Sequence, residues 1–313
     1  MTVEYTPMKA VLSDHAFDDP DWVFERKLDG ERCGAIRRGG SVTLLSRNGR
    51  PLASAYPELA DALAVAGPDL LADGEIIAFK GGATSFEQLQ QRIGITDPER
   101  ARHSRVKVYY YIFDLLELGG EDLRALPLLE RKARLREAID FDGGHLRYVS
   151  YRRREGVTAF RYACAHGWEG VIAKRAAGPY VSKRSRDWLK FKCAHGQELV
   201  IGGWTEPRGS RQRFGAILVG FYEGGKLRYA GKVGTGFDQR TLNLLGDKLE
   251  RLERPTSPFD LGGPPRDAHW AKPELVAEIG FAEWTRDEKL RQPRYQGLRD
   301  DKSAREVVRE VPS

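Results

Sequence analysis

An α+β domain with antiparallel sheets, followed by a small β-barrel of the OB type, is the fold this sequence predicts. Three observations carry that reading. The chain has 313 residues, enough for about two domains at ~150 residues each. Up to about residue 195, strand-like and helix-like segments mix without steady βαβ succession, which disfavours a doubly wound sheet. After Lys192, strands separated by glycine-rich turns dominate, with one helix among them. The predicted domains are therefore residues 1–195 and 196–313.

In chain order, Trp22–Lys27 alternates and Val42–Leu45 is apolar and β-branched, so both read as strands. Tyr56–Ala66 follows Ser54 and stops at Gly67 and Pro68, which are helix start and stop signals. Val106–Leu116 (VKVYYYIFDLL) is aromatic and β-branched, as a buried central strand requires. Pro127–Ile139 reads as a helix with Arg and Lys outside. Val157–Gly167 reads as another, ended by glycine. Beyond Lys192, Glu198–Trp204, Gly215–Tyr222 and Lys226–Val233 read as strands, and Gly224–Gly225 as a hairpin turn. A helix over Gln239–Arg251 and a strand over Val276–Thr285 complete the second domain, with the domain boundary predicted near Cys193–Gln197.

Composition narrows the function. Hydrophobic residues are 41% and charged residues 31%, a globular balance. No apolar run approaches the ~18–20 residues of a membrane span. Cys33, Cys164 and Cys193 are odd in number and far apart, which argues against zinc ribbons and disulfide frameworks and suits a reducing cytoplasm. The six histidines are scattered, so no histidine cage is indicated.

The charge is unevenly placed. Residues 174–192 hold Lys174, Arg175, Lys183, Arg184, Arg186, Lys190 and Lys192 against Asp187 alone, an excess equal to the net +6 of the whole chain. Arg147, Arg152, Arg153 and Arg154 form a second cluster. Either is a solvated basic face or a surface for polyphosphate or nucleic acid.

The segment Glu25–Arg32, ERKLDGER, carries the chemistry. In an extended chain Glu25, Lys27 and Asp29 share one face, and Gly30 permits a tight turn or a close approach to the backbone. A lysine between two carboxylates is ordinarily a charge-paired ammonium. The alternative is a nucleophile, which must lose its proton through burial or nearby cations. Lys190 and Lys192, two apart in WLKFK, are available for that task.

At this point the chain resembles the ATP-dependent DNA ligases, most of all the compact bacterial ligases of the non-homologous end-joining type, standalone or as the ligase module of a multidomain repair ligase. The nucleotidyltransferase motif is Lys27-Leu28-Asp29-Gly30-Glu31-Arg32. It is followed by Ser46-Arg47-Asn48-Gly49, Asp73-Gly74-Glu75, Phe113-Asp114, Glu169-Gly170-Val171 with Lys174, and the pair Lys190 and Lys192. A C-terminal motif is similar to Arg291-Gln292-Pro293-Arg294-Tyr295 leading to Asp301-Lys302. Any one motif is weak, but their order over some 275 residues is specific.

The resemblance implies a nucleotidyltransferase domain followed by an OB-fold domain, and three transfers. Lys27 attacks the α-phosphate of ATP. AMP then passes to a 5′-phosphate at a nick, and the 3′-hydroxyl finally displaces AMP. By resemblance Glu25 accepts from the adenine amino group and Phe113 stacks on the base. Asp29 and Gly30 belong to the nucleotide motif, and Lys174 closely follows the Glu169 motif. Arg32 and Arg47 contact ribose or the 5′-phosphate, and Lys190 and Lys192 hold the α-phosphate. Glu169 takes Mg²⁺ or Mn²⁺; Glu75 is a second candidate for the metal, or alternatively holds the ribose. Arg291, Asp301 and Lys302 orient the leaving pyrophosphate. Implied partners are duplex DNA with nicks or ends and a Ku-like end-binding protein. A monomer in the cytoplasm, at the nucleoid and away from membranes, is expected.

Rival readings differ in testable ways. A capping guanylyltransferase shares the lysine motif but takes GTP. RNA ligases share it but usually lack this OB domain. NAD-dependent ligases carry a further N-terminal domain and a four-cysteine zinc site, and only 26 residues precede Lys27 here. The short lead also leaves no room for the helical DNA-binding domain of large eukaryotic ligases and favours a standalone enzyme. A non-catalytic nucleic-acid binder would carry the OB barrel and the basic patch without a covalent adduct.

Overall fold

Alternating and β-branched runs become strands throughout this chain, and glycines mark many of the turns between them. The computed structural model describes residues 5–141, 144–193, 196–207 and 213–310. The chain divides into two units after Cys193. The predicted boundary near Cys193–Gln197 includes residues 194 and 195, which lie outside the described residues.

The first unit begins with β1 (Lys9–Leu12), β2 (Asp19–Lys27), β3 (Glu31–Arg38), β4 (Ser41–Ser46), α1 (Pro57–Val65), β5 (Leu70–Lys80), β6 (Ala83–Thr84), α2 (Phe86–Leu89) and α3 (Pro98–Arg102). It continues with β7 (Val108–Leu118), β8 (Glu121–Asp122), α4 (Leu128–Ala138), β9 (Leu146–Tyr148), β10 (Tyr151–Arg154), α5 (Gly156–Ala165), β11 (Gly170–Arg175) and β12 (Arg184–Lys192). Two sheets result, ordered β1-β12-β11-β2-β10 and β4-β3-β5-β7-β8. The pairings are antiparallel, apart from β1 with β12 and β7 with β9.

Side-chain alternation sorts each sheet into two faces. On the first sheet Trp22, Phe24, Val171, Ala173 and Phe191 turn to one side and bury against Ala159 and Ala163 of α5. On the second, Cys33, Ala35, Ala72, Ile76, Tyr110 and Ile112 join Leu59 and Leu63 of α1 in another core. A third cluster includes Tyr5, Met8, Phe113, Tyr180 and Trp188, so it joins β7 of one sheet to β12 of the other. Burying such side chains contributes about 1.5–3 kcal/mol each.

The second unit contains β13 (Gly196–Trp204), β14 (Ile217–Glu223), β15 (Lys226–Val233), α6 (Gln239–Arg251), β16 (Glu253–Arg254), β17 (His269–Ala271), β18 (Val276–Gly280), β19 (Glu283–Trp284), β20 (Leu290–Arg291) and β21 (Arg294–Leu298). Strand β13 pairs with β14, β17 and β18, and β18 pairs in turn with β21. Gly224 and Gly225 have φ of 56° and 81° and close the β14–β15 hairpin, as predicted. Asp238 caps α6 through Thr241 N at 2.7 Å.

Four expectations change. The strand predicted over Val276–Thr285 is broken: β18 ends at Gly280, and Glu283–Trp284 pairs separately with Leu290–Arg291. The strand β2 stops at Lys27, so Asp29 leaves its face and instead accepts from Phe86 N, at 3.3 Å, at the start of α2. The basic residues of α4 are not all outside, since Arg131 and Lys132 are buried. Cys164 and Cys193 form a disulfide with Cα atoms 5.1 Å apart. Their separation of 29 residues hid a proximity made by α5 lying against the sheet that ends in β12. Only Cys33 remains a free, buried thiol, so cysteine usage no longer supports a reducing compartment.

Arg131 donates to both oxygens of Asp114, at 2.7 and 2.9 Å, and to the carbonyls of Leu126 and Gly178. Both partners are fully buried. Removing one side of such a pair strands the other charge, which costs about 3–5 kcal/mol. Arg131→Ala is expected to lower the unfolding free energy by that amount in urea titration; a loss under about 1 kcal/mol contradicts the assignment of Asp114 to a structural role.

Candidate active site

Register assembles the site. Lys27 lies opposite Gly170, which lies opposite Lys192; Glu25 lies opposite Ile172, which lies opposite Lys190. Val23 lies opposite Lys174, which lies opposite Trp188. Directly paired residues share a sheet face. Glu25, Lys27, Lys174, Trp188, Lys190 and Lys192 therefore stand on the face away from α5. Lys27 and Lys192 are two strands apart, a backbone spacing of about 10 Å.

Gly170 separates those two lysines and admits no side chain. Its φ is 152°, and a Cβ there would lie 1.9 Å from the Phe191 carbonyl oxygen. Gly30 is likewise packed: a Cβ would lie 2.2 Å from the Ile76 carbonyl oxygen. The close approach that Gly30 permits is thus to strand β5.

The ε-ammonium of Lys27 forms an ion pair with Glu169, and both side chains keep some solvent exposure. The lysine is charge-paired, as its type ordinarily is, but its partner is neither flanking carboxylate. Glu169 reaches it because it immediately precedes Gly170, the residue opposite Lys27.

Glu25 is 2% exposed. Its Oε1 accepts from Lys132 Nζ at 2.6 Å, and its Oε2 pairs with Lys174 Nζ at 2.7 Å. Lys132 also donates to the carbonyls of Phe113 and Val149, at 3.2 and 3.1 Å. Burial pushes the Lys174 ammonium down to about 8, with Glu25 opposing the shift. Lys174 Nζ sits 4.2 Å from the Phe113 ring centre and 4.1 Å from that of Trp188. Phe113 itself is 8% exposed and packs edge-on against Trp188.

On the second sheet Arg32 lies opposite Glu75, and Glu75 opposite Tyr111. Arg32 grips Asp73 through two bonds of 2.6 and 2.7 Å, and Tyr5 and Tyr180 donate to the same carboxylate. Its guanidinium lies 4.7 Å from the Phe113 ring centre. Arg47 occupies the turn after β4, where Gly49 N donates to Ser46 O. In the second unit Arg291 is exposed on β20 and paired with Glu283 at 2.6 Å. Asp301 is buried against Arg299, and Lys302 pairs with Glu198 at 2.5 Å.

The first unit thus brings Lys27 to Glu169, and Glu25 to Lys174 beside Phe113, with Lys190 and Lys192 on the same face. Lys132, Asp73, Tyr5 and Tyr180 complete the site's support; Asp73 stands in the Asp73-Gly74-Glu75 motif, whereas Lys132 and Tyr5 were not singled out from sequence. Lys132 was within reach. Leu128, Arg131, Lys132 and Leu135 follow the i, i+3, i+4, i+7 spacing of a buried stripe, and all four are buried.

Residues 7–192 match the family model described as the ATP dependent DNA ligase domain, and residues 210–302 that of the ATP dependent DNA ligase C terminal region. This chain belongs to the ATP-dependent DNA ligase family. The multifunctional non-homologous end joining protein LigD of Pseudomonas aeruginosa is 39% identical over 302 residues, covering 94% of this chain and 35% of that protein. LigD of Mycobacterium tuberculosis is 39% identical over 296 residues, covering 92% of this chain and 37% of that protein. A DNA ligase of Pyrobaculum calidifontis is 31% identical over 282 residues, covering 84% of this chain and 48% of the relative. This ligase chain spans about 35–37% of the length of the LigD relatives from these two species. Among solved structures, mycobacterial DNA ligase D complexed with ATP and MES gives a TM-score of 0.68 at 35% identity, covering 97% of this chain and 98% of that one. The ligase domain of M. tuberculosis LigD gives 0.51 at 36% identity, covering 97% and 98%. The nucleotidyltransferase and OB-fold architecture predicted from sequence is that of the family.

The buried Lys174 gives the ligase a pH signature. In the unfolded chain it titrates at its ordinary 10.5, and in the folded chain at about 8. Between those values the unfolded state holds more protons, so stability rises with pH through the window. Below about pH 8 the cost of burying the ammonium is fully present. Relative to Lys174→Met, the wild type is expected to gain stability between pH 8 and 10 in paired denaturant titrations. A pH-independent difference contradicts the shift.

Proposed function

We propose that this ligase joins 5′-phosphate and 3′-hydroxyl ends in duplex DNA through a lysyl-AMP and a DNA-adenylate. The supporting observation is the placement of Lys27 beside Glu169, on the face that also carries Lys190 and Lys192. In the first step the Lys27 nitrogen bonds to the α-phosphorus of ATP, and the bond from that phosphorus to the pyrophosphate oxygen breaks. Pyrophosphate carries away the electron pair. Lys27 reacts only as a neutral amine, so its pairing with Glu169 must open first. Covalent catalysis divides one hard condensation into separate transfers.

Charge develops on phosphate oxygens at each transfer, and aligned cations are the residues that stabilise it. Lys190 and Lys192 supply two such charges from one strand face. Glu25 and Lys174, paired with each other beside Phe113, are assigned to the edge of the purine as acceptor and donor. Arg47 is assigned to the nick phosphate. Arg32, locked onto Asp73, is assigned to the ribose side, with Glu75 opposite it in register. Asp29 and Gly30 shape the turn after Lys27. In the second domain Arg291, Asp301 and Lys302 are assigned to the leaving pyrophosphate.

The acid set fits a weakly caged divalent ion. Among the described residues no three His, Cys, Asp or Glu side chains cluster as a metal cage. Mg²⁺ and Mn²⁺ suit one or two carboxylates completed by water and phosphate oxygens; Glu169 is assigned to the ion, and Glu75 either to the ion or to the ribose. Bound there, the ion would neutralise phosphate charge.

The proposed setting is repair of DNA breaks, alongside a Ku-like end-binding protein, with the ligase acting as a monomer at the nucleoid in the cytoplasm. The names of the LigD relatives support the repair setting. Among the described residues no helix is long and apolar enough to cross a membrane.

The test is covalent labelling. Wild type incubated with α-labelled ATP and Mg²⁺ is expected to acquire one AMP on the peptide containing Lys27, and none from GTP. Lys27→Ala is expected to acquire none and to seal no nicks. Adduct formation in Lys27→Ala at the wild-type rate overturns the proposal.

A further inference from the structure

One cationic and aromatic surface lies outside the groups assigned above. Residues 147–168 hold five arginines against one glutamate. Part of this stretch is β10, the edge strand of the first sheet. From that edge the Arg152 guanidinium reaches to 5.8 Å from the Tyr162 ring centre. Tyr162 is 41% exposed. Its ring stacks on His166, with centroids 3.8 Å apart and planes 20° apart, and meets Trp168 edge-on at 5.3 Å. Trp168 in turn carries the Arg26 guanidinium 4.4 Å over its ring.

These contacts form a continuous array, Arg152, Tyr162, Trp168 and Arg26, on the α5 side of the first sheet, behind the face that carries Lys27. Arg152 is the exposed end of the array and Arg26 its inner end. Among the described residues, Arg26 Nε and Nη2 are buried without a hydrogen-bond partner, a state that proteins ordinarily avoid. Arg152 makes a long, exposed ion pair with Glu155, at 3.7 Å, of the kind worth little in water.

We infer that this array binds an unpaired DNA strand that leads away from the break around the β10 edge of the sheet. The inference rests on the proposed ligase reading, which puts a DNA end at Lys27. Guanidinium groups match phosphate oxygens in geometry and charge. An exposed, pre-stacked aromatic ring offers a platform to a nucleobase, whatever its sequence. Base pairs within a duplex keep their ring faces stacked on one another, so the partly exposed Tyr162 ring, stacked on His166 and otherwise met over its ring by the loosely held Arg152, selects a strand whose bases are free. The ligand class is single-stranded DNA, as at an overhang.

The test uses the full chain, a labelled oligothymidylate and a blunt duplex of equal length. Tyr162→Ala is expected to weaken single-strand binding about tenfold, the order of one base–aromatic stack. Tyr162→Phe is expected to keep wild-type affinity. Arg152→Ala is expected to make the salt dependence shallower by about 0.7 for each phosphate that Arg152 neutralises. AMP labelling from ATP is expected to stay at the wild-type level in all three. Single-strand affinity within twofold of wild type in Tyr162→Ala overturns the inference, as does an equal loss on the blunt duplex. Failure of the wild type to take up AMP strikes the ligase reading instead, and the binding comparison still decides this one.

Discussion

The ion pair between Lys27 and Glu169 organises the proposed catalytic face, and strand register makes it possible. Gly170 faces Lys27 across β2 and β11, which puts the preceding residue, Glu169, at the lysine's reach. The same row continues to Lys192 on β12. A one-residue slip in either pairing would turn these side chains to the other face and into the core behind. The apolar residues between them, Trp22, Phe24, Val171, Ala173 and Phe191, pack against α5 and hold that register. Packing behind the sheet thus determines the electrostatics in front of it.

Buried charge is the second constraint. Glu25 is enclosed by two ammonium groups, from Lys132 and Lys174. Asp73 is enclosed by Arg32, Tyr5 and Tyr180. Asp114 is bound by Arg131. Such groups add little net stability but are costly to strand. They fix the orientation of the side chains around Phe113 and tie α4 and both sheets into one frame.

Local pattern revealed much of this. Alternation and glycine turns gave the main strands, the β14–β15 hairpin and the helix over Gln239–Arg251. Ordered motifs gave the family and the position of Lys27 among its acids and bases. What stayed hidden depends on contacts between distant segments. Nothing local to ERKLDGER says that Lys27 pairs with Glu169, 142 residues away, instead of with Glu25 or Asp29. The Cys164–Cys193 bond is hidden for the same reason. The β2 boundary at Lys27 and the break after Gly280 turn on where pairing partners end, which composition does not record. Lys132 is the exception, since its helical stripe was readable and its charge alone argued for the surface.

On the proposed reading, Glu169 stays paired with Lys27 until nucleotide engages the lysine. The most direct test is the reactivity of the Lys27 amine toward an amine-specific acylating reagent without nucleotide, read by mass spectrometry at that residue, in wild type and Glu169→Gln. Slow modification is expected in the wild type and clearly faster modification in Glu169→Gln, with the other lysines unchanged. Equal rates at Lys27 in the two proteins would contradict it.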